Sequence, residues 1–525
     1  MCARAIGTTV MMLSLVTAIP PAGAQQPSAQ ARCAALSTLQ VPGAQLSDVK
    51  PQWLAAGSPP PAEPPYVPPL AVKLPAYCRL DATLDRRTGA DGRSYGIGFA
   101  IALPADWNGR LLFQGGGGLN GTVAPPLGRT GAGDAALARG FAVVTTDTGH
   151  KGEVFDATFM QEQQAALDFA YQAVGRVAVL AKQIVALHYG KPVGHAYFAG
   201  CSTGGREGML MAQRHPTYFD GIVVGAPAMR TSFSHIGDEW VATMLNGAAP
   251  KDASGKPETK RALSDTDRTA VMEGFLNACD AADGLKDGLV MDPTGCRFDV
   301  KTIECPGGKK DGCLSTAQVS AIQQAFAGPR DSKGRQVYPG FLFDTGITTT
   351  EGLPGLLAGA VNPIGPAYTA TTIDVDARAE QASADPQMIL TATSTWTNLN
   401  TFSARGGKLL FYHGVSDPWF SALDTLDYYE RMARANGGAT EVMGWSRLFL
   451  APGMGHCGGG PMALDSFDML GAIVDWVEQG KAPASITATG RALQGRTRPL
   501  CPYPQHAQYK GDGSPDVASS FECRE

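Results

Sequence analysis

Residues 196–204 have the sequence AYFAGCSTG, and they give the first indication of the fold. Its first four residues are typical of a short buried strand, and the amphipathic residues 206–214 that follow predict a helix. A serine between glycines, placed between a strand and a helix, matches the G-x-S-x-G turn of serine hydrolases. The glycines are needed because the turn is sharp and neighbouring side chains would clash. We therefore predict that Ser202 is a catalytic nucleophile.

Strands and helices alternate along the chain on both sides of this turn. Residues 158–189 carry apolar side chains at helical spacing and predict one or two helices. Strands are predicted for the short apolar runs at residues 111–113, 141–145, 222–224, 409–412 and 448–450. This alternation indicates an α/β fold with a parallel sheet.

The regular pattern stops near residue 230 and resumes near residue 400. Residues 231–400 contain scattered glycine, proline and threonine, and we predict that they form a large lid domain inserted between two strands of the sheet. Residues 76–230 and 401–525 are then the two parts of the core. Residues 25–75 are rich in proline, alanine and glutamine, and they predict a loosely structured N-terminal arm.

The overall composition excludes several classes of protein. Of the 525 residues, 44% are hydrophobic and 17% are charged. Because ~25% charged residues are usual, a disordered or coiled-coil chain is excluded. The net charge is −5 and no long basic run is present, so nucleic acid is not expected as a partner.

The N-terminus has the pattern of an export signal. Arg4 precedes an apolar run, and residues 22–24 (AGA) have the small-x-small form of a cleavage site. The run is shorter than the ~18 apolar residues of a membrane span, and no later stretch reaches that length. We therefore predict a signal peptide over residues 1–24 and a secreted or periplasmic protein without a membrane span.

Ten cysteines remain after Cys2 leaves with the predicted signal peptide. An even number in an exported protein favours five disulfides over a zinc site, since no C-x-x-C motif or paired histidines accompany them. Counting does not establish the pairing. Proximity suggests three local pairs: Cys279–Cys296, Cys305–Cys313 and Cys501–Cys523.

A serine nucleophile requires a histidine base and a carboxylate that orients the base. Asp417 and His456 each follow one of the later predicted strands. The order Ser202, Asp417, His456 is the chain order of α/β-hydrolases, so we predict an α/β-hydrolase fold with this triad. His413 fits the order less well, and we interpret it as a packed residue at a strand end.

Two cysteines adjoin the predicted triad. Cys201 precedes the serine, and Cys457 follows the histidine. If Ser202 and His456 touch, the two cysteines are neighbours in space. A disulfide between them would then hold the nucleophile and the base in register.

These motifs together resemble the tannase/feruloyl esterase family of α/β-hydrolases, whose signature is a Cys-Ser…Asp…His-Cys arrangement. The resemblance covers most of the mature chain, and it implies the pairs Cys33–Cys78 and Cys201–Cys457 beside the three local ones. It is carried by residues 115–116 (GG), 200–208 (GCSTGGREG), 412–417 (YHGVSD), 452–457 (PGMGHC) and 498–504 (RPLCPYP).

Several carboxylates are close together in the predicted lid, in residues 280–289 (DAADGLKDGL). From composition alone, a solvated acidic turn and a calcium loop both remain open, since calcium accepts carboxylate and carbonyl oxygens. The resemblance implies a structural calcium ion, and no organic cofactor is expected. The ligands that it implies are the side chains of Asp280, Asp283 and Asp287 and the carbonyls of Leu285 and Leu289.

The site residues and the resemblance together predict a secreted serine hydrolase of carboxylic esters. The backbone N–H groups of Gly116 and Thr203 are expected to stabilise the oxyanion, with Gly115 as the alternative to Gly116 because four glycines follow one another. The resemblance implies an aromatic acyl group, such as a hydroxycinnamate or gallate. Trp419 and Phe420, just after Asp417, are interpreted either as side chains that stack on this group or as core residues.

Feruloyl esterase activity is the first interpretation, and three alternatives remain. Two use the same machinery, on gallate esters as in a tannase or on mono(2-hydroxyethyl) terephthalate. The family's terephthalate monoester hydrolase binds the substrate carboxylate with a lid arginine, whereas residues 336–404 contain only Arg378, which counts against that activity. A calcium-dependent binding protein without catalysis is the remote third alternative, because the triad is complete.

Overall fold

The structure is a computed structural model that describes residues 27–62, 70, 72–129, 134–359 and 365–525. The predicted signal peptide, residues 1–24, lies outside the described residues.

A mixed β-sheet lies at the centre of the molecule. Its strands in the described residues are β1 (Leu46–Leu54), β2 (Tyr77–Thr88), β3 (Ser94–Pro104), β4 (Arg110–Gln114), β5 (Ala142–Thr146), β6 (His195–Cys201), β7 (Gly221–Gly225), β8 (Lys408–Gly414) and β9 (Ser446–Ala451). Their order across the sheet is β1-β2-β3-β5-β4-β6-β7-β8-β9. The strands from β5 to β9 run parallel to one another, and β1, β2 and β3 are joined antiparallel at one side. The strand that leads to Ser202, β6, therefore lies inside the predicted parallel sheet.

Helices connect most of these strands, and two small sheets follow near the C-terminus. The short strands are β10 (Ser466–Phe467), β11 (Ile486–Thr489), β12 (Arg498–Leu500), β13 (His506–Tyr509) and β14 (Phe521–Arg524). The α-helices are α1 (Ala29–Ala35), α2 (Gln163–Leu167), α3 (Ala173–Tyr189), α4 (Thr203–Arg214), α5 (Thr231–Ala248), α6 (Asp265–Cys279), α7 (Thr316–Ala327), α8 (Val375–Ala384), α9 (Pro386–Thr391), α10 (Asn400–Ala404), α11 (Ala422–Ala435), α12 (Ala439–Val442) and α13 (Met469–Gln479). The predicted helical region at residues 158–189 contains α2 and α3, joined by a π-helical turn at Asp168–Gln172.

Both faces of the central sheet are buried. Phe198 of β6 and Phe411 of β8 belong to the apolar cluster on one face, with side chains from α3, α4 and α11. Tyr197 and Tyr412, one position away on the same strands, belong to the cluster on the other face, with side chains from α13. Successive side chains of a strand point to opposite faces, so a sheet covered on both sides has strands that are apolar at every position.

Residues 226–407, which we call the insertion, lie between β7 and β8. These strands are parallel neighbours, with Val223 opposite Leu410. The insertion contains α5 to α10 and an apolar cluster of its own, which includes Val241, Ile322 and Tyr338. The boundaries that we predicted at residues 231 and 400 stay predictions.

The N-terminal arm is more ordered than predicted. Strand β1 pairs with β2 from Leu46 to Leu54, so the expectation of a loose arm is wrong for these residues. The strand lies at the edge of the sheet, where half-buried polar residues and Pro51 are tolerated, and it therefore lacks the apolar run of a central strand. The Cys33–Cys78 disulfide joins α1 to β2 and fixes the arm further.

All five predicted disulfides are present, with Cα–Cα distances from 5.1 to 6.0 Å. The pairs are Cys33–Cys78, Cys201–Cys457, Cys279–Cys296, Cys305–Cys313 and Cys501–Cys523. Within the described part of the chain, no helix has the length and apolar character needed to cross a bilayer.

Candidate active site

Ser202 occupies the turn between β6 and α4, the setting that the sequence predicts. Its backbone has φ 63° and ψ −123°, a left-handed conformation that costs a non-glycine residue of the order of 1–3 kcal/mol. The flanking glycines are required by close contacts, since a Cβ at Gly200 would lie 2.6 Å from the carbonyl carbon of Gly204. The turn therefore holds the serine in a strained and defined position.

Asp417 and His456 are in direct contact. Asp417 Oδ2 lies 2.7 Å from His456 Nδ1, and Asp417 Oδ1 accepts the N–H groups of Trp419 and Phe420 at 2.9 and 3.1 Å. Burial favours the neutral acid, but His456 and His413 outweigh it and hold the pKa of the Asp417 carboxyl well below its ordinary value. An ionised Asp417 fixes the proton of His456 on Nδ1 and leaves Nε2 as a base.

His413 is fully buried and contacts the same carboxylate. Its Nε2 lies 2.9 Å from the carbonyl oxygen of Phe420 and 3.4 Å from Asp417 Oδ2, and its Nδ1 lies 2.9 Å from Thr425 Oγ1. A carbonyl oxygen only accepts, so Nε2 carries the proton and Nδ1 accepts from the threonine hydroxyl. With both nitrogens engaged, His413 is a packed residue that supports Asp417, as its position in the sequence predicts.

Ser202 and His456 are brought together through their neighbours. The Cα atoms of the disulfide-bonded Cys201 and Cys457 lie 6.0 Å apart. Among the described residues, no hydrogen-bond partner is found for the buried Nε2 of His456, and Ser202 Oγ forms no hydrogen bond with it. The predicted pair Asp417–His456 is thus in direct contact, whereas the turn of Ser202 is connected to the His456 loop through the disulfide between the neighbouring cysteines.

Asp344, from the insertion, joins the two loops that carry Asp417 and His456. Its Oδ2 accepts the Ser416 hydroxyl at 2.6 Å and the Gly453 N–H at 2.7 Å. The side chain is completely buried, and burial raises the pKa of Asp344 to about 6. The sequence analysis did not identify Asp344, because no motif marks an isolated aspartate within the insertion.

The predicted oxyanion donors on the glycine loop, residues 115–118, are already engaged. The Gly116 N–H donates to Glu207 Oε2 at 3.0 Å, and the Gly115 N–H donates to the carbonyl of Ala199 at 2.9 Å. The assignment of Gly116, and of Gly115 in its place, therefore needs correction, because neither N–H is free for an oxyanion. Thr203 is the first residue of α4, where backbone N–H groups have no acceptor within the helix, and its role stays a prediction.

Glu207 binds the glycine loop to the helix that follows Ser202, α4. Besides the Gly116 N–H, its buried carboxylate accepts the Asn120 side-chain amide at 2.8 Å. Burial raises the pKa of Glu207. The Gly204 N–H donates to the Gly116 carbonyl at 3.0 Å, and the Thr203 hydroxyl donates to the carbonyl of Gly118. The motif GGREG contains this glutamate, but its role appears only in the tertiary structure.

Aromatic side chains surround the His456 ring. The ring centroids of Trp419 and Phe420 lie 4.8 and 5.2 Å from that of His456, and both side chains are partly exposed. The exposed Phe155 follows, with its ring centroid 6.4 Å from that of Trp419. The structure therefore places the two predicted aromatic residues at the site and adds Phe155, for which the sequence contains no signal.

The carboxylates of the predicted calcium loop bind its own backbone. Asp280 accepts the Gly288 N–H at 2.9 Å, and Asp283 accepts the Leu285 N–H at 3.0 Å. Burial, together with the nearby charge of Asp287, raises the pKa of Asp283 to about 7. Asp287 pairs with Arg498. In the residues that the structure describes, no three His, Cys, Asp or Glu side chains are grouped closely enough to hold a metal ion.

Comparison with known proteins places this chain in a family. The profile described as tannase and feruloyl esterase matches residues 83–371 and 367–524. The chain is 38% identical over 519 residues to the mono(2-hydroxyethyl) terephthalate hydrolase of Piscinibacter sakaiensis, covering 86% of this chain and 85% of that protein. It is 31% identical to a probable feruloyl esterase B-2 of Aspergillus terreus, covering 80% and 82%. The crystal structure of feruloyl esterase B from Aspergillus oryzae matches with a TM-score of 0.75 at 27% identity, covering 95% of this chain and all of that one. The chain therefore belongs to the tannase and feruloyl esterase family and is a carboxylic ester hydrolase.

Proposed function

We propose that this protein is an exported serine esterase that hydrolyses esters of aromatic carboxylic acids, of the feruloyl esterase type. The observation that carries the proposal is the contact between Asp417 and His456 at 2.7 Å, beside a disulfide that joins the His456 loop to the Ser202 turn. These are the parts of a nucleophile, base and orienting carboxylate.

Ser202 attacks the acyl carbon of the ester, and Nε2 of His456 takes the serine proton. The same nitrogen then returns the proton to the leaving alcohol. Asp417 stabilises the imidazolium that forms between these two transfers. Water hydrolyses the acyl-enzyme, with His456 again acting as the base.

The oxyanion is stabilised by the N–H groups of Thr203 and Gly117. Gly117 replaces Gly116 in this role, because the N–H groups of the two preceding glycines are engaged. Within the described residues the Gly117 N–H has no hydrogen-bond partner, and a Cβ at Gly117 would meet no atom within 4 Å. An N–H without a partner, on the loop whose Gly116 carbonyl accepts the Gly204 N–H just after the serine, is available for a developing negative charge.

An aromatic acid is proposed because Trp419 and Phe420 lie against the catalytic imidazole. Two of the relatives described above are also named for esters of aromatic acids, one of ferulate type and one of terephthalate. The terephthalate monoester is the second candidate substrate, on the name of the 38% identical relative. Against it, the Arg378 guanidinium already donates to Glu239 at 2.9 Å and to Gln381 at 2.8 Å, so part of its donor capacity is used within the protein.

A structural calcium ion in the loop of residues 280–289 is part of the proposal. By chemical type the donor set suits a hard cation, since it combines carboxylates with backbone carbonyls, but the three carboxylates are not grouped around one point in the described residues and would have to turn toward the ion. Burial, together with the nearby charge of Asp287, raises the pKa of Asp283, and a bound cation would favour the ionised form of this carboxyl. The residues that would hold the ion are Asp280, Asp283 and Asp287 by their side chains and Leu285 and Leu289 by their carbonyls. Its effect is on the stability of the insertion.

Export is proposed from the signal-peptide pattern at residues 1–24 and from the five disulfides. Disulfides form and persist in oxidising compartments. Both features support the proposal that the protein acts in the periplasm or outside the cell.

A substrate panel tests the proposed function. Methyl ferulate, methyl gallate and mono(2-hydroxyethyl) terephthalate are compared by kcat/KM, and methyl ferulate is expected to be cleaved most efficiently. Labelling by a fluorophosphonate probe, with Ser202→Ala as the unlabelled control, separates a serine esterase from a binding protein. Wild-type protein that takes up no probe and cleaves no ester would show that the proposed mechanism is wrong.

A further inference from the structure

Two consecutive exposed apolar residues, Val154 and Phe155, lie beside the active site. Their exposed fractions are 45% and 39%. The backbone of Val154 is held against the glycine loop, because its carbonyl accepts the Leu119 N–H at 2.8 Å. A Cβ at Gly118 would lie only 2.5 Å from the same carbonyl oxygen, so the two loops are in close contact. The position of Phe155 is therefore tied to the loop that we propose binds the oxyanion.

Phe155 also contacts the opposite side of the site. Its ring meets that of Trp419 edge-to-face, with the centroids 6.4 Å apart and the planes at 89°. Trp419 in turn lies 4.8 Å from the His456 ring. A continuous series of contacts therefore runs from the glycine loop through Phe155 and Trp419 to the catalytic histidine.

An exposed phenyl ring next to a reactive centre calls for an explanation. Single exposed apolar side chains are common on protein surfaces, but contiguous ones often mark a binding surface. Packing against Trp419 does not bury Phe155, since more than a third of the residue still contacts solvent. Aromatic rings pair favourably with centroids 4.5–7 Å apart, and the uncovered surface of Phe155 remains available for such a contact.

The geometry points to an aromatic subsite, formed by Phe155 and Trp419, that binds a planar ring of the ester substrate. This inference rests on the proposed function and adds to it a residue that determines specificity. The ring belongs either to the acid or to the alcohol of the ester, since both meet at the carbonyl carbon that Ser202 attacks. The binding chemistry is the same in the two cases.

The test compares Phe155→Ala and Phe155→Leu with wild-type enzyme on three esters. Methyl ferulate has its ring in the acid, benzyl acetate has its ring in the alcohol, and methyl butyrate has no ring. Losing an aromatic pair and its buried area should lower kcat/KM about tenfold for a ring-containing ester. The leucine variant should lose less, and methyl butyrate should be cleaved at the wild-type rate. A loss confined to ferulate places the ring in the acid, and a loss confined to benzyl acetate places it in the alcohol.

Leu187→Ala is the matched control, because Leu187 is 58% exposed on α3 and is truncated in the same way. It should leave all three rates unchanged. An equal fall on all three esters in Phe155→Ala, or no fall on any, would overturn the subsite while the proposed function stands. Wild-type enzyme that cleaves neither aromatic ester would instead overturn the proposed function, and the subsite with it.

Discussion

Removing the disulfide between Cys201 and Cys457 should impair catalysis beyond its effect on stability. The bond joins the residue before the proposed nucleophile to the residue after the proposed base, and among the described residues no hydrogen bond links Ser202 to His456. Ser202 and Cys457 both have φ of 63°, a conformation that relaxes easily when its support is lost. The double change Cys201→Ala and Cys457→Ala should therefore let the nucleophile and the base drift apart.

The magnitudes follow from the position of the bond. A sequence separation of 256 residues gives a nominal chain-entropy contribution of about 5.5 kcal/mol to the free energy of unfolding. The other four disulfides already restrict the unfolded chain, so the measured loss should lie nearer the usual ~2–4 kcal/mol. A displacement of about 1 Å between the reacting groups costs roughly a hundredfold in rate. We expect kcat to fall about a hundredfold in a variant that still unfolds cooperatively.

The matched control is the pair Cys305→Ala and Cys313→Ala. That disulfide closes a loop with a sequence separation of 8 residues within the insertion, and its nominal contribution is about 2.5 kcal/mol. It should lower the melting temperature and leave kcat unchanged. Both variants are assayed well below their melting temperatures, with thermal unfolding followed by circular dichroism.

Two results would show that the disulfide does not hold Ser202 and His456 in position. The first is an unchanged kcat in the Cys201/Cys457 variant, or an equal fall in the control. The second comes from peptide mapping without reduction, if the peptide that contains Cys201 is found free or linked to a peptide other than that of Cys457.

Four further predictions concern single side chains. Ser202→Ala should leave a folded protein whose esterase activity is lower by ~10⁴–10⁶-fold, and more than a tenth of wild-type activity would identify the wrong nucleophile. A chelator should lower the melting temperature of the wild type and of the control Asp311→Ala but not of Asp283→Ala, because an ion bound only to the native state stabilises that state. If the chelator removes all metal from the wild type and its melting temperature does not change, the calcium site is excluded. The pKa of Asp344 is raised to about 6 in the folded state, so its contribution to stability is present below the unfolded pKa of 3.8 and is lost as the pH rises through 6. Asp344→Asn should therefore gain stability relative to the wild type between about pH 4 and 7, as measured by urea unfolding. A stability difference that stays constant with pH would contradict this prediction. Glu207→Ala should lower kcat with little change in KM. Glu207→Gln should retain more activity, since its amide oxygen still accepts the Gly116 N–H. Equal losses of activity in the two variants would show that Glu207 does not act by holding the glycine loop.

The sequence by itself determined the features that depend on neighbours along the chain. The glycines around Ser202 are required by the turn itself, and the apolar runs before Ser202, Asp417 and His456 predict buried strands whose ends meet at one edge of a parallel sheet. Chain order then distinguished Asp417 from other carboxylates and His456 from His413. The paired cysteines beside the serine and the histidine supported the same arrangement.

The tertiary structure alone decided which polar groups of the site are engaged and which are free. The Gly116 N–H is taken by Glu207, 91 residues away, and Asp344 joins Ser416 and Gly453 over separations of 72 and 109 residues. Phe155 reaches Trp419 in the same way, from a different loop. Such contacts have no period and no motif, because a buried carboxylate needs only some donor within reach, and the fold determines which donor that is. The strand β1 was missed for a related reason, since an edge strand is stabilised by its partner β2 and not by apolar residues of its own.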